Sequence, residues 1–276
     1  MGNKNCMSRR GFLTAAGLAG LAPVAAWASK RLPTEKKYKL HKVPAEAQGL
    51  RFLFQGDSIT DGNWGQNGSK VRRADGNNIL GHGYVFAIAA RIGADFPQAD
   101  FTFMNRGVWG NTLLNLEARW QADALDLKPD VLSVLVGVND VMDVVRHQGH
   151  PYGGPEVFEA KYRGLLQKSR EQNPNLLIVL GLPFIYPVGR YAHDIESSRK
   201  EMAPRVAAVR RLAQEFNAVL VDYPAMFERA TTLAPIDYWI WDGCHPSVFG
   251  HELMAREWLH QTASRLSFLK LYDSGY

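Results

Sequence analysis

From Leu50 onward, short apolar runs alternate with longer amphipathic segments, and this alternation restricts the fold more than any other feature of the sequence. The apolar runs predict strands at residues 51–55, 101–105, 131–136, 176–182 and 218–222, and the amphipathic segments predict helices at 84–96, 113–127, 156–172, 195–216 and 247–266. Apolar strands separated by such helices indicate a parallel sheet covered on both faces. We therefore predict an α/β protein whose site lies beyond the carboxyl ends of the strands, where the connecting loops converge.

The first 28 residues fall outside this alternation and are typical of an export signal. Residues 8–13, Ser-Arg-Arg-Gly-Phe-Leu, carry a twin-arginine pattern, and an apolar run follows as far as Ala28, after which we predict cleavage. A transmembrane anchor is the alternative, but the run of about 16 residues is shorter than the roughly 20 needed to span a bilayer. We expect a periplasmic or extracellular protein without stable membrane insertion, with residues 29–48 as a polar lead-in and 49–276 as one domain.

Charge and cysteine content exclude several classes of function. The chain has a formal net charge of +5, but the predicted signal contains Lys4, Arg9 and Arg10 and no acidic residue, so cleavage leaves +2. No basic block remains, and nucleic acid is therefore not an expected partner. Cys244 is the sole cysteine expected after cleavage, which excludes an intrachain disulfide. The sequence has neither a dinucleotide fingerprint nor a P-loop, and we expect no cofactor.

Ser58 follows the first predicted strand and is the candidate nucleophile. Gly56 allows the strand to turn sharply, after which Asp57 is expected to brace the turn. A serine hydroxyl is a weak nucleophile, so this interpretation requires a general base, a group that orients the base, and hydrogen-bond donors for an oxyanion. The alternative is that Ser58 caps a helix. The surrounding residues do not form the Gly-x-Ser-x-Gly elbow of the α/β-hydrolases.

Two later loops contain candidate oxyanion donors. Gly110 lies in the glycine-bearing loop 105–112, where its N–H can be exposed without a side chain in the way. Asn139 follows the strand predicted at 131–136, and its amide can point toward a developing negative charge. The alternatives are a turn in which Thr112 caps the next helix and an Asx-turn closed by Asn139.

Asp242 and His245 provide the remaining parts of a hydrolytic site. The three-residue spacing allows the carboxylate to hold one ring nitrogen of His245 while the other nitrogen faces Ser58. Considered alone, His245 would be a buried structural histidine. Its position after Asp242 and before the final predicted helix favours a catalytic role.

At these residues the chain resembles the SGNH subset of the GDSL hydrolases, a family named for Ser, Gly, Asn and His in separate blocks. The matching blocks are Gly56-Asp57-Ser58, Gly110 within 106–112, Gly137-x-Asn139-Asp140 and Asp242-x-x-His245-Pro246. The resemblance covers about residues 50 to 267. It implies a flavodoxin-like, three-layer α/β/α fold with a five-stranded parallel sheet in the order 2-1-3-4-5.

The resemblance also implies a role for each matching residue. Ser58 would be the nucleophile, His245 the base and Asp242 the group that orients the base. The N–H groups of Ser58 and Gly110 and the side chain of Asn139 would form the oxyanion hole. No metal or organic cofactor is implied.

Finer patterns resemble the bacterial acetylxylan esterases of this family. They are His82-Gly-Tyr, Leu116-Glu-Ala-Arg119-Trp120, Lys128-Pro-Asp and Trp241-Asp-x-x-His-Pro-Ser. The expected function is a secreted serine esterase that removes acetyl groups from polysaccharides or oligosaccharides through an acyl-enzyme. A lysophospholipase or thioesterase with the same machinery is the alternative, and a non-catalytic carbohydrate-binding protein is a third. Related acetylxylan esterases form oligomers, so a homo-oligomer remains open beside a monomer.

Tryptophans beside the motifs favour a carbohydrate substrate, because aromatic faces suit sugar rings. Those placed in loops by the prediction are Trp64, Trp109, Trp239 and Trp241, of which Trp109 and Trp241 are the candidate substrate-binding residues. Trp109 stands where the family usually has a smaller residue, and it could either narrow the pocket or stack on a sugar. His147 and His150 could form a metal set with His82 or His193, but no matched ligand spacing supports one, and no metal site is expected.

Overall fold

The computed structural model describes residues 41–62, 79–150, 153–192 and 195–275. The predicted export signal, Trp64 and His193 lie outside these residues. Among the helices of the described residues, none is long and apolar enough to cross a bilayer.

Within the described residues, one parallel sheet of five strands forms the centre of the fold. The strands are Arg51–Gly56 (β1), Thr102–Gly107 (β2), Val131–Leu135 (β3), Leu177–Gly181 (β4) and Val219–Val221 (β5). Their order is β2-β1-β3-β4-β5, and each neighbouring pair is parallel. The predicted α/β fold and strand order are therefore confirmed.

Helices cover both faces of the sheet. The α-helices are Ser58–Asp61 (α1), Tyr84–Asp95 (α2), Leu113–Asp123 (α3), Val138–His147 (α4), Pro155–Gln172 (α5), Ile195–Glu215 (α6), Tyr223–Ala230 (α7), Ile236–Trp239 (α8) and Val248–Thr262 (α9). Short 3₁₀ helices span Ala45–Ala47, Leu125–Leu127, Gly189–Tyr191 and Ser267–Gly275.

Strand β1 shows why the sequence requires a layer on each face. Phe52, Leu53 and Phe54 are all fully buried, and successive side chains of a strand point to opposite faces. Phe52 and Phe54 pack in one apolar cluster with Trp258 of α9, whereas Leu53 packs in a second cluster with Trp120 of α3. A strand with apolar side chains on both of its faces is stable only between two such layers.

Some elements differ from the sequence prediction. The helix predicted at 113–127 ends at Asp123 and is followed by the 3₁₀ turn Leu125–Leu127. Helix α4 was not predicted, because its many β-branched valines lower helix propensity and it follows a strand almost directly. Asn139 therefore lies in the first turn of a helix instead of closing an Asx-turn.

The expectation that Trp239 lies in a loop beside the site was wrong. Trp239 ends helix α8, is 9% exposed, and donates its indole N–H to the carbonyl oxygens of Ala230 at 3.2 Å and Ala234 at 3.1 Å. A buried indole needs such an acceptor, so this side chain belongs to the core.

Candidate active site

Ser58, His245 and Asp242 form a continuous hydrogen-bonded chain at the carboxyl edge of the sheet. The Ser58 hydroxyl lies 2.7 Å from Nε2 of His245, although the two residues are 187 positions apart in sequence. Nδ1 of His245 lies 2.8 Å from Oδ2 of Asp242. In this arrangement the ring can take a proton from the serine on one side while the carboxylate fixes its orientation on the other.

The turn that presents Ser58 depends on Gly56 and Asp57. A Cβ at position 56 would lie 2.3 Å from the carbonyl oxygen of Leu135 and 2.4 Å from the Thr60 hydroxyl, so only glycine fits. The Asp57 carboxylate accepts the N–H of Ile59 at 3.0 Å and caps helix α1. Asp57, and not Ser58, is thus the N-cap, and the Ser58 hydroxyl is free to face His245.

The expected oxyanion donors are the N–H groups of Ser58 and Gly110 and the side-chain amide of Asn139. In the part of the chain that the structure describes, the N–H groups of Ser58 and Gly110 make no hydrogen bond. Gly110 has φ +75°, which favours glycine, and open space surrounds its Cα. The Asn139 amide donates to the carbonyl oxygen of Asn111 at 3.1 Å, which places its side chain against the Gly110 loop.

Asp140 fastens the Gly110 loop to helix α4. Its carboxylate accepts the N–H of Leu113, the first residue of α3, with the two oxygens at 3.1 and 3.2 Å. Thr112 caps the same helix through a reciprocal capping box with Asn115, so the alternative of a capping threonine holds alongside an exposed Gly110. The two segments that present Gly110 and Asn139 are therefore held in one geometry.

Comparisons with known proteins identify the family of this chain. Residues 54–253 match the model of the GDSL-like Lipase/Acylhydrolase family. The chain belongs to this family. An acetylxylan esterase from Geobacillus stearothermophilus is 32% identical over 219 residues, which make up 77% of this chain and 94% of that protein. Its crystal structure has 31% identity and a TM-score of 0.65, over 78% of this chain and 94% of that chain.

Two further matches extend the comparison. A crystal structure from Parabacteroides merdae ATCC 43184, described as a GDSL-like lipase, has 34% identity and a TM-score of 0.71, covering 82% of this chain and 99% of that one. The lipoprotein YqeF of Bacillus subtilis (strain 168), itself uncharacterized, is 26% identical over 106 residues, or 38% of this chain and 42% of that protein. The family and the acetylxylan esterase relative establish this GDSL hydrolase as a carboxylic ester hydrolase.

The pKa values of Asp242 and Asp57, two acidic residues of the site, are shifted in opposite directions. Burial alone would raise the pKa of Asp242, but hydrogen bonds from the ring and N–H of His245 and from the N–H of Cys244 outweigh it and hold the pKa well below its usual range. Asp242 is therefore ionised at any working pH. Burial raises the pKa of Asp57 to about 7, against the hydrogen bond from Ile59.

An open pocket of about 360 Å³ lies over the Ser58 hydroxyl of this GDSL hydrolase. Its lining residues include Ser58, Gly62, His82, Trp109, Arg190, Trp241, His245 and His251. Trp109 is 65% exposed and Trp241 is 63% exposed, so both present open aromatic faces beside the nucleophile. The Trp241 ring also stacks on His245, with 6.0 Å between ring centroids.

Asp242, Cys244 and His245 form the cluster of potential metal ligands found in the described ranges, with ligand atoms within 4.8 Å of one another. The carboxylate and the imidazole of this cluster already bond to each other, and the Cys244 thiol is 3.4 Å from Nδ1 of His245. Burial, followed by the Asp242 charge, raises the pKa of Cys244 far above its usual range, so the thiolate that binds metals well is disfavoured.

Sequence reasoning missed the residues that support the site, Arg119 above all. Its guanidinium donates to the carbonyl oxygens of Gly56 at 3.2 Å and Arg106 at 2.8 Å, and to the side chain of Asn111 at 2.8 Å. It thus joins the ends of β1 and β2 to the Gly110 loop. The one available signal was its place in the Leu116–Trp120 pattern, which gave no indication of its partners.

Asn105 and Arg190 were also missed as supporting residues. The Asn105 amide donates to the carbonyl oxygens of Thr60 at 2.7 Å and Leu80 at 2.9 Å, and so holds the end of helix α1. Arg190 forms an ion pair with Asp242 from a segment far away in sequence. No local pattern around either residue indicated these contacts.

Proposed function

We propose that this GDSL hydrolase is an exported serine esterase that removes acetyl groups from polysaccharides or oligosaccharides. The observation that carries the proposal is the 2.7 Å contact between the Ser58 hydroxyl and His245, whose other nitrogen bonds to an ionised Asp242. A base in this position activates a serine that is otherwise unreactive. The relationship to an acetylxylan esterase supports the acetyl and carbohydrate parts of the proposal.

In the first half-reaction, the Ser58 hydroxyl oxygen attacks the carbonyl carbon of the acetyl ester and its proton passes to Nε2 of His245. The carbonyl oxygen becomes an oxyanion held by the N–H groups of Ser58 and Gly110 and by the Asn139 amide. The bond to the sugar oxygen then breaks. That oxygen takes the proton from His245 and the alcohol leaves, with the acetyl group now bonded to Ser58.

In the second half-reaction, water attacks the acetyl-serine while His245 accepts a proton from it. The new tetrahedral intermediate is held by the same donors, and it collapses as His245 returns the proton to the Ser58 oxygen. Acetate leaves and the free hydroxyl is restored. Throughout both steps Asp242 keeps the ring oriented and stabilises its protonated form.

The pocket supports a carbohydrate in preference to a lipid. Its rim carries two exposed indoles, which suit stacking on sugar rings, and its lining includes His82, Arg190 and His251. A long acyl chain would instead require a continuous apolar groove. Export is supported by the twin-arginine pattern at residues 8–13 and by the partial match to a lipoprotein.

The test is acetate release by the purified protein from acetylated xylan, acetylated pectin and peracetylated sugars, run beside p-nitrophenyl acetate and p-nitrophenyl octanoate. We expect release from at least one acetylated carbohydrate and a preference for acetyl over octanoyl esters. Ser58→Ala should abolish both activities and the burst of acyl-enzyme. A preference for octanoyl esters, or an S58A variant as active as the parent, would refute the proposal.

A further inference from the structure

A second imidazole, that of His251, lines the same pocket as His245. His251 lies in the first turn of helix α9, six residues after His245, and it is partly buried. It belongs to none of the four family blocks, and the reaction described above does not use it. The hydrogen bond of its ring determines which of the two ring nitrogens can act as a donor.

The tautomer of the neutral His251 ring follows from its contact with helix α2. The N–H of Tyr84, the first residue of that helix, lies 3.2 Å from Nδ1 of His251. A backbone N–H can only donate, so Nδ1 must be the acceptor and the proton of the neutral ring is on Nε2. The His251 ring is thus a hydrogen-bond donor at Nε2.

The orientation of the ring is fixed as well. It stacks on the Tyr84 ring, with 6.4 Å between centroids and 11° between planes. Gly83 leaves the room that this requires, because a Cβ there would lie 3.0 Å from Cε1 of His251. The Nε2–H of His251 has no acceptor among the described residues.

In the proposed reaction the carbonyl oxygen of the ester does not need this donor, because the N–H groups of Ser58 and Gly110 and the Asn139 amide are assigned to it. An acetyl group has no other oxygen acceptor. The bridging ester oxygen is present in every ester and takes its proton from His245 in the proposed reaction. Any further acceptor in the pocket must therefore be on the alcohol part of the ester, as a hydroxyl, a ring oxygen or a second acyl oxygen. Such oxygens are abundant on a sugar and absent from a simple hydrocarbon alcohol.

We propose that His251 is a substrate-binding residue that donates a hydrogen bond from Nε2–H to an oxygen of the sugar. This inference rests on the proposed function and adds a residue that selects the alcohol part of the ester. Burial, followed by the charge of His245, lowers the pKa of His251 to about 4. The donor therefore remains neutral, with the same proton, across the pH range in which an esterase of this kind works.

The test compares an acetylated sugar with a ring of similar size that lacks oxygens. Values of kcat/KM are measured on xylopyranose tetraacetate and on cyclohexyl acetate for the parent, His251→Phe and His251→Gln. Phe keeps the stacking on Tyr84 but has no donor, whereas the Gln amide can both accept from Tyr84 and donate. His260→Phe makes the same change at an exposed position of the same helix and serves as the matched control.

We expect H251F to lower kcat/KM on the sugar ester about tenfold, the loss of one hydrogen bond, while the value on cyclohexyl acetate stays within about twofold. H251Q should recover most of the sugar activity, and H260F should match the parent on both esters. The ratio of parent to H251F on the sugar ester should be constant from about pH 5.5 to 8, because the donor does not titrate there. Equal losses on both esters, no loss on the sugar ester, or a ratio that varies with pH would overturn the inference.

A measurement that leaves His251 in place covers the case in which H251F does not fold. With ¹⁵N-labelled histidine in the S58A background, xylobiose should shift the Nε2 resonance of His251, and an unmoved resonance would contradict the inference. The failures of the two proposals can be told apart. The proposed function fails if the parent releases no acetate from acetylated sugars, whereas the role of His251 fails if the parent does so and H251F does so equally well.

Discussion

Asp242 binds His245 through both oxygens of its carboxylate. Oδ1 accepts the backbone N–H of His245 and Oδ2 contacts the ring at Nδ1, each at 2.8 Å. The three-residue spacing makes this double contact possible, because the chain turns back on itself between the two residues. The pair is therefore a rigid local unit, and only its distance to Ser58 depends on the rest of the fold.

Replacing Asp242 by Asn tests the charge of this unit with little change of shape. We expect kcat on p-nitrophenyl acetate to fall by about 10³–10⁴, because an amide nitrogen facing Nδ1 would favour the wrong ring tautomer and could not stabilise a protonated ring. Steady-state kinetics with the thermal unfolding temperature as a folding control provides the measurement. A variant that retains a tenth of the parental kcat would exclude an essential role for the carboxylate.

Replacing Asn139 by Ala tests the side-chain oxyanion donor. We expect kcat to fall by about 10²–10³ with little change in KM, because the lost donor acts mainly on the charge that develops in the transition state. Asn173→Ala is the matched control, since its amide also donates to a backbone carbonyl, that of Pro129, but at the opposite edge of the sheet. Similar kinetics for the two variants would argue against the assignment of Asn139.

Replacing Arg119 by Met tests the hydrogen bonds that join the ends of β1 and β2 to the Gly110 loop. The side chain is 18% exposed and donates to the carbonyl oxygens of Gly56 and Arg106 and to the side chain of Asn111, each of which would lose this donor. We expect the free energy of unfolding to fall by about 2–4 kcal/mol and kcat to fall at least tenfold, since buried acceptors without donors are costly. Urea denaturation and kinetics measure the two effects. Arg199→Met, at an exposed pair with Glu196, should change neither.

Replacing Asp57 by Asn tests the buried carboxyl beneath Ser58. Its pKa is raised from 3.8 to about 7, so the folded protein retains a proton that the unfolded chain releases. The free energy of unfolding of the parent should consequently fall as the pH rises through that window, by as much as about 4 kcal/mol from this residue. Asn remains neutral and is also a good N-cap, so the stability of D57N relative to the parent should be greater at pH 8 than at pH 5. Urea denaturation giving the same difference at both pH values would contradict the raised pKa.

Replacing Trp241 or Trp109 by Ala tests the exposed indoles. We expect the KM on acetylated xylo-oligosaccharides to rise about five- to tenfold for each variant, since a lost aromatic face is worth about 1 kcal/mol, with a smaller change on p-nitrophenyl acetate. Trp241→Phe, which keeps an aromatic face, is the control. An equal effect on both substrates would show that the rings act on the site itself, as the stacking of Trp241 on His245 would allow.

The fold could be predicted from the sequence because the patterns that indicate its strands and helices are local. Continuous burial in β1 and amphipathic spacing in the long helices can be read within a few residues, and the strand order followed from the family resemblance. Helix α4 was missed because its valines favour strands when considered alone, and only its packing in the described core stabilises the helix. Tertiary contacts here outweigh intrinsic propensity.

Only part of the site could be predicted from the sequence. Ser58, Gly110, Asn139 and His245 carry their signal in short blocks. The structure places Ser58 against His245, and it places the Asn139 amide against the carbonyl oxygen of Asn111, the residue after Gly110. The contacts of Arg119 with Gly56, of Arg190 with Asp242 and of His251 with Tyr84 join residues 52 to 167 positions apart, and no spacing along the chain encodes them. The prediction that Trp239 lies in a loop beside the site was wrong for the same reason. A tryptophan next to a motif can face either the core or the pocket.

The separation of 187 residues between Ser58 and His245 also has a consequence for folding. Contacts of such high order form late, because a long loop must close before they are made. His245 follows the last strand of the sheet, so a fragment that ends before this residue lacks the base and cannot activate Ser58. Recovery of esterase activity after dilution from denaturant would therefore report the late formation of this contact. Recovery of helix content, followed spectroscopically, should come earlier.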